Sequence, residues 1–255
     1  MRSRALALLT ALVLLGGTAA GCASLDPGPR TTEQRTVDDV TSIELATSGS
    51  LDVVLGTEPS LTITAGETVI DRLTADVADG VLRLDTKGGL PGYAGEIRYE
   101  LVVTAVTSIA VLGSGDARVD LTGAADPVIV VKGSGRVDAM GIDAESVSAT
   151  VDGSGEISID DARARQLTVR VDGSGAVQVS GTTVAQEVEL RGSGEYAASS
   201  LESVDARVTV RGSGEASIAV SGSLEAVIDG SGEISYSGDA RVTQDISGPG
   251  ELLRD

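Results

Sequence analysis

Carboxylates and serines recur beside a repeated glycine pair, and any chemistry in this chain would have to run through them. The tripeptide Gly-Ser-Gly begins at Gly113, Gly133, Gly153, Gly173, Gly192, Gly212 and Gly230, and a Gly-Pro-Gly variant begins at Gly248. The residue that follows is, in order, Asp116, Arg136, Glu156, Ala176, Glu195, Glu215, Glu233 and Glu251. Stacked carboxylates helped by corner carbonyls could supply the six to eight oxygens that calcium takes. The period speaks against it, because calcium-binding β-roll repeats run to about nine residues. Arg136, Ala176, Arg191 and Arg211 also interrupt the acidic field. The position before each tripeptide alternates in sign (Lys132, Asp152, Asp172, Arg191, Arg211, Asp229), which suits charge pairing between neighbouring strands.

Nucleophilic catalysis lacks its machinery. The chain has no His, so the repeated serines have no imidazole base, and their context is not the Gly-x-Ser-x-Gly elbow. No Gly-x-x-x-x-Gly-Lys is present for a phosphate loop. Without His or a set of thiols a zinc site is not expected. Carboxylate pairs would serve glycoside cleavage, yet chance pairs are expected in so acidic a chain. Tyr93, Tyr99, Tyr196 and Tyr236 are too few for a sugar-stacking track. The reading is therefore no enzyme, no metal and no cofactor. A net charge of −19 excludes nucleic acid, which needs a basic face.

The lone cysteine is the one residue with a specific assignment. Arg2 and Arg4, the apolar run Ala5 to Leu15 and the small residues Gly16 to Gly21 read as a secretory signal. That apolar run is too short to span a bilayer. Ala19-Ala20-Gly21-Cys22 resembles the bacterial lipobox, in which the Cys is acylated and becomes the new N-terminus; Ala19 departs from the Leu preferred there. With Cys22 as the sole cysteine, no intramolecular disulfide can form. Ser24 to Arg35 is polar and holds Pro27 and Pro29, so it reads as a tether.

The elements that must position these residues follow from the period. Successive tripeptides lie 20, 20, 20, 19, 20, 18 and 18 residues apart, and fixed-period similarity marks a stacked repeat. Counted from the last Gly, the second residue is Ala117, Val137, Ile157, Val177, Tyr196, Ala216 and Ile234, and the fourth is Val119, Ala139, Ile159, Val179, Ala198, Ile218 and Tyr236. Counted back from the first Gly, the second is Val111, Val131, Val151, Val171, Leu190, Val210 and Ile228, and the fourth is Ile109, Ile129, Ala149, Val169, Val188, Val208 and Ala226. The intervening positions are mostly polar. Alternation on both sides predicts two half-buried strands per repeat, joined at a Gly corner.

The central Ser is expected to add a ladder of hydroxyl hydrogen bonds. A second, looser corner (Leu121–Pro127, Met140–Glu145, Asp160–Gln166, Ser221–Leu224) absorbs the drift in period. The absence of Phe and Trp at 41% hydrophobic residues suits a thin interior of Val, Ile, Leu and Ala. At ~4.8 Å per strand, seven rungs make a rod on the order of 34 Å. An antiparallel meander would show the same alternation. A membrane barrel would need longer strands, of about 9–11 residues, and aromatic girdles.

Residues 37–112 read as irregular all-β structure, with a hairpin turn at Asp79-Gly80, a possible helical turn over Val69–Leu73 and a loop over Lys87–Gly95. The order Val40-Thr41-Ser42-Ile43, Ser48-Gly49-Ser50-Leu51-Asp52-Val53, Leu61-Thr62-Ile63, Asp79-Gly80-Val81-Leu82, Leu101 to Val106 and then the Gly-Ser-Gly series resembles the head GIN domain family, the putative auto-transporter adhesins. Ala105 stands where a Pro would be expected. The resemblance covers about Val37 to Asp255. It implies a β-helix on an exported or lipid-anchored protein, and it brings no catalytic residues.

The expected organisation is a lipoprotein signal over 1–21, a flexible tether over 22–36, and one parallel β-helix over 37–255, irregular to residue 112 and regular from 113. The expected role is a structural, adhesin-like module on the extracytoplasmic face of the cell membrane. Its partners would be the membrane, through Cys22, and an extracellular or envelope ligand, protein or glycan. A carbohydrate-binding or carbohydrate-cleaving envelope protein is the alternative.

Overall fold

Each repeat bends where its glycines are, and the bend repeats because the corners stack backbone on backbone. The computed structural model describes residues 26–89 and 94–255. In chain order its elements are β1 (Arg30–Arg35), β2 (Ser42–Leu45), β3 (Ser50–Leu55), β4 (Ser60–Gly66), α1 (Glu67–Ile70), β5 (Leu73–Ala78), β6 (Val81–Thr86) and β7 (Arg98–Val103). Then come β8 (Ser108–Val111), β9 (Asp116–Asp120), β10 (Val128–Gly133), β11 (Arg136–Met140), β12 (Asp143–Gly153) and β13 (Glu156–Gly173). The last are β14 (Ala176–Gly192), β15 (Glu195–Gly212), β16 (Glu215–Gly230), β17 (Glu233–Ser237), β18 (Arg241–Ser247) and β19 (Glu251–Arg254).

Strands one repeat apart pair parallel and in register, so the fold is the parallel β-solenoid that the columns predict. The first wall, before each corner, stacks β6, β2, β8, β10, the C-terminal parts of β12 to β16, and β18. The second wall, after each corner, stacks β7, β3, β9, β11, the N-terminal parts of β13 to β16, then β17 and β19. The apolar columns meet inside: Val131, Val151, Val171 and Val210 are fully buried, as are Val137, Ile157, Val177 and Tyr196.

At the corner the first Gly of each tripeptide from Gly133 onward holds φ between +108° and +130°. A Cβ on Gly173 would lie 2.4 Å from the carbonyl oxygen of Gly153 one rung below. That oxygen accepts the Ser174 N–H at 2.9 Å, and the same bond recurs from Ser134 to Gly113, Ser154 to Gly133, Ser193 to Gly173 and Ser213 to Gly192. The corner serine side chains are exposed, and among the described residues none of their hydroxyls is hydrogen-bonded. The expected hydroxyl ladder is thus corrected: the corner ladder is made by the main chain.

Two further corrections concern the outline of a rung. The segments read as a loose second corner form a third wall, in register over Asp143↔Arg163↔Thr182↔Glu202. Leu167, Leu201, Val220 and Leu224 bury their side chains from it; Leu121–Pro127 is a loop. The drift in period is taken up here, where the register shifts between Ile159 and Ala162, Gln178 and Gly181, and Ala198 and Glu202. The second correction is at residues 30–35, assigned above to the tether. They form β1, antiparallel to β4, which is antiparallel to β7. β1 buries almost nothing and so shows no apolar pattern; its backbone pairs the open edge of the sheet.

The first two turns do not stack in chain order. β2 and β3 are sandwiched, with β6 and β7 on their outer side and β8 and β9 on the inner side. The chain therefore builds its end cap second and then crosses back over the first rung, where the Thr107 N–H bonds to the Thr41 carbonyl at 2.8 Å. Within that cap, β5 and β6 form a hairpin whose Asp79 and Gly80 both have positive φ, the turn expected of Asp-Gly. The helical turn forms as α1, earlier than expected over Val69–Leu73, and Leu73 instead begins β5. The predicted loop over Lys87–Gly95 falls partly, and the signal and Cys22 entirely, outside the described residues.

If the corner is a main-chain ladder, Gly173→Ala should cost roughly 2–4 kcal/mol, from positive φ and the contact with Gly153. Ser174→Ala should stay within about 0.5 kcal/mol. Urea denaturation of the two variants checks this.

Candidate functional site

The corner carboxylates are aligned but do not converge. Asp116, Arg136, Glu156, Ala176, Glu195, Glu215, Glu233 and Glu251 stand in one register column. Arg136 pairs with Glu156 at 2.7 Å, and no group of three or more metal-ligating side chains forms among the described residues. Among the alternating charges before the corner one cross-rung ion pair forms in the described residues, between Arg191 and Asp172, and the other contacts go to Glu189 two residues before Arg191. Arg191 reaches Asp172 at 3.5 Å and Glu189 at 2.7 Å, and Arg170 and Arg211 also pair with Glu189. Partial burial pushes the Glu189 carboxyl up, but Arg191, Arg211 and Arg170 together hold it below the usual carboxylate range. Tyr99 and Tyr196 are wholly buried and Tyr236 partly so, which leaves no tyrosine track on the outer face of the described residues.

A groove opens instead where the third wall turns into the first. Each rung there sends two consecutive residues outward: Arg165 and Gln166, Val184 and Ala185, Val204 and Asp205, Gly222 and Ser223. The next residue points in (Leu167, Gln186, Ala206, Leu224) and the one after points out (Thr168, Glu187, Arg207, Glu225). Between the two outward columns runs a valley of about 620 Å³, from Gln166 to Arg241 and Thr243, within the range of small-ligand sites. Its columns are in register, Gln166↔Ala185↔Asp205↔Ser223↔Arg241. Small side chains at Ala185 and Ser223 leave depth between larger neighbours. Ser223 donates to Asp205 at 2.6 Å, and Arg207 pairs with Glu225 at 2.5 Å.

The floor is fixed from below by a buried polar chain. The Tyr196 hydroxyl donates to Gln186 Oε1 at 2.9 Å, Gln186 Nε2 donates to Ser203 Oγ at 2.7 Å, and Ser203 donates to the Ala219 carbonyl at 2.7 Å. Gln186 is 2% exposed and Ser203 5%. Every member is satisfied, which lets polar groups sit in an apolar interior and fixes the rungs they bridge. Burial pushes the Tyr196 phenol far above its usual pKa, and burial likewise raises Tyr99, whose hydroxyl has no partner among the described residues. Sequence reasoning found Tyr196 as an inward residue but missed Gln186 and Ser203. The usable signal was a phenol in an aliphatic column, whose O–H requires a buried acceptor. A smaller outer cleft of about 290 Å³ near Asp52 is bridged by ion pairs of Arg98 and Arg118 with Asp52 at 3.7 and 3.5 Å.

Both raised tyrosines make the fold sensitive to base. Their folded pKa values exceed the unfolded value of about 10, so their contribution is whole below pH 10 and is lost as pH rises beyond it, where the unfolded chain releases protons first. Stability measured by urea denaturation should therefore fall above about pH 10. Tyr196→Phe should fall less steeply there, while losing about 1–3 kcal/mol at neutral pH because Gln186 loses its partner.

A family model described as "Putative auto-transporter adhesin, head GIN domain" matches residues 39–240, and the chain belongs to this family. Among curated proteins no relative matches. Solved structures share the fold. A putative lipid binding protein from Parabacteroides distasonis is 24% identical, with a TM-score of 0.83 over 89% of this chain and 97% of that one. A putative adhesin from Parabacteroides merdae is 20% identical, with a TM-score of 0.78 over 89% and 97%. A putative adhesin from Parabacteroides distasonis is also 20% identical, with a TM-score of 0.79 over 89% and 98%.

Proposed function

We propose that this head GIN domain chain is an exported lipoprotein whose β-solenoid acts as an adhesin-like binding module at the cell envelope. In this reading residues 1–21 are removed and Cys22 carries the lipid. Residues 22–29 then hold off the membrane a single domain that begins with β1. Among the described residues no helix is long and apolar enough to cross a membrane, so attachment in this account rests on Cys22.

The observation that carries the binding role is the contrast between a filled interior and an open outer groove. Interior columns from the walls are buried, mostly aliphatic side chains throughout the repeat, and the ligand in this reading is placed on the outer face. The groove between Gln166 and Thr243 lies on the outside and rests on a rigid floor. It requires no catalytic group, and the chain has no His to serve the corner serines as a base. The expected partner is an extracellular or envelope molecule held in this groove.

Two measurements test the two halves. Cys22→Ala should move the protein from the membrane fraction to the soluble fraction and abolish acyl labelling; unimpaired membrane association would remove the anchor from the account. For the groove, Asp205→Ala combined with Arg207→Ala should lower attachment of the protein to its target surface at least fivefold. Arg118→Ala, on the second wall, should leave attachment unchanged, and equal loss in both would place binding elsewhere.

A further inference from the structure

We infer that the groove takes an extended, neutral oligosaccharide lying along the solenoid axis. This rests on the groove being the binding site and goes on to name its ligand class. Three features carry it. First, the groove is long and straight, because its columns follow five successive rungs, from Gln166 to Arg241, about 19 Å at ~4.8 Å per rung. A chain of repeating units fits such a channel better than a compact metabolite.

Second, the lining is amphipathic across its width. Ala185 and the small accessible parts of the inward-pointing Ala206 and Leu224 give it apolar surface beside the buried Gln186, while Asp205, Arg207 and Glu225 edge it with planar hydrogen-bonding groups. Sugar rings present the same division, apolar C–H faces and hydroxyl rims, and pockets of this kind orient ligands with a few placed polar groups. Strand-borne side chains stand one rung apart, at even intervals along the channel.

Third, the other ligand classes find no match. The floor strands are hydrogen-bonded to the rungs on both sides, with Gln186↔Ala206↔Leu224↔Val242 in continuous register, so a peptide cannot add as a strand. The Arg207 charge is paired with Glu225, and Asp205 is hydrogen-bonded to Ser223. With Glu187 and Arg241 the lining holds three carboxylates and two guanidinium groups, a near balance in which neither a polyanion nor a polycation meets a strong field of opposite sign. With no aromatic platform in the lining, single-site affinity is weak, with Kd on the order of 1 mM, and many copies on one surface would act together.

The test is NMR titration of the whole chain with linear neutral oligosaccharides of two to eight units and with sulfated forms of the same sugars. Shifts are expected for the amides of 185–187, 205–207 and 223–225, with affinity rising with ligand length until the groove is filled. Asp205→Ala should weaken binding at least fivefold, while Arg118→Ala leaves it unchanged. No shifts for any neutral sugar, shifts confined to another face, or binding of sulfated forms alone would overturn the inference. If the groove variants abolish surface attachment yet no oligosaccharide binds, the ligand class is wrong and the binding site stands. If neither attachment nor sugar binding responds to them, the groove itself is wrong.

Discussion

The structure depends on how closely one corner backbone approaches the next. The carbonyl oxygen of each corner glycine accepts an N–H from the rung above at about the usual hydrogen-bond length, for example 2.8 Å from Ser154 to Gly133. A Cβ at Gly153 would sit 2.5 Å from that same oxygen. Only glycine permits this stacking, and the stacking fixes the register of every strand leaving the corner. Once register is fixed, the period-2 alternation places Val, Ile, Leu and Ala in continuous inward columns. Tyr99 and Tyr196 are the largest side chains those columns bury.

Regularity at one corner leaves the rest of the rung to absorb variation. The third wall takes up the shortening from 20 to 18 residues through its register shifts, and its turn into the first wall leaves a valley on the outer surface. The polar chain from Tyr196 through Gln186 to Ser203 lies directly under that valley. Buried polar links of this kind cost stability unless complete, and when complete they specify one arrangement. The rigid corner and the locked floor together hold the groove side chains at fixed spacing without a ligand, which lowers the ordering cost of binding.

Much of this fold was legible in the chain because a repeat shows the same position many times. The inward columns, the corners, the Asp79-Gly80 turn and the family resemblance could all be read from residue types. What escaped had physical reasons. β1 is held by backbone pairing and polar side-chain bonds, such as Arg35 to the Leu73 carbonyl, and buries no apolar face, so it looked like tether. The third wall carries two outward residues in succession at its bend, which breaks the alternation that marks a strand. Nothing in the residues of β6 and β7 says that they stack outside β2 and β3, since register with either neighbour satisfies the same apolar pattern. The serine of Gly-Ser-Gly suggested a hydroxyl ladder, and the adjacent backbone supplied that ladder instead. The groove was missed because it exists only once rungs are stacked.

The account makes the corner amides the most protected part of the molecule, ahead of the terminal rung formed by β18 and β19. Native-state hydrogen exchange measures this directly. The amides of Ser154, Ser174, Ser193 and Ser213 should exchange only with global unfolding, while those of β19 open locally and faster. Exchange of the corner amides at the rate of β19 would contradict the claim that the glycine corners hold the solenoid together.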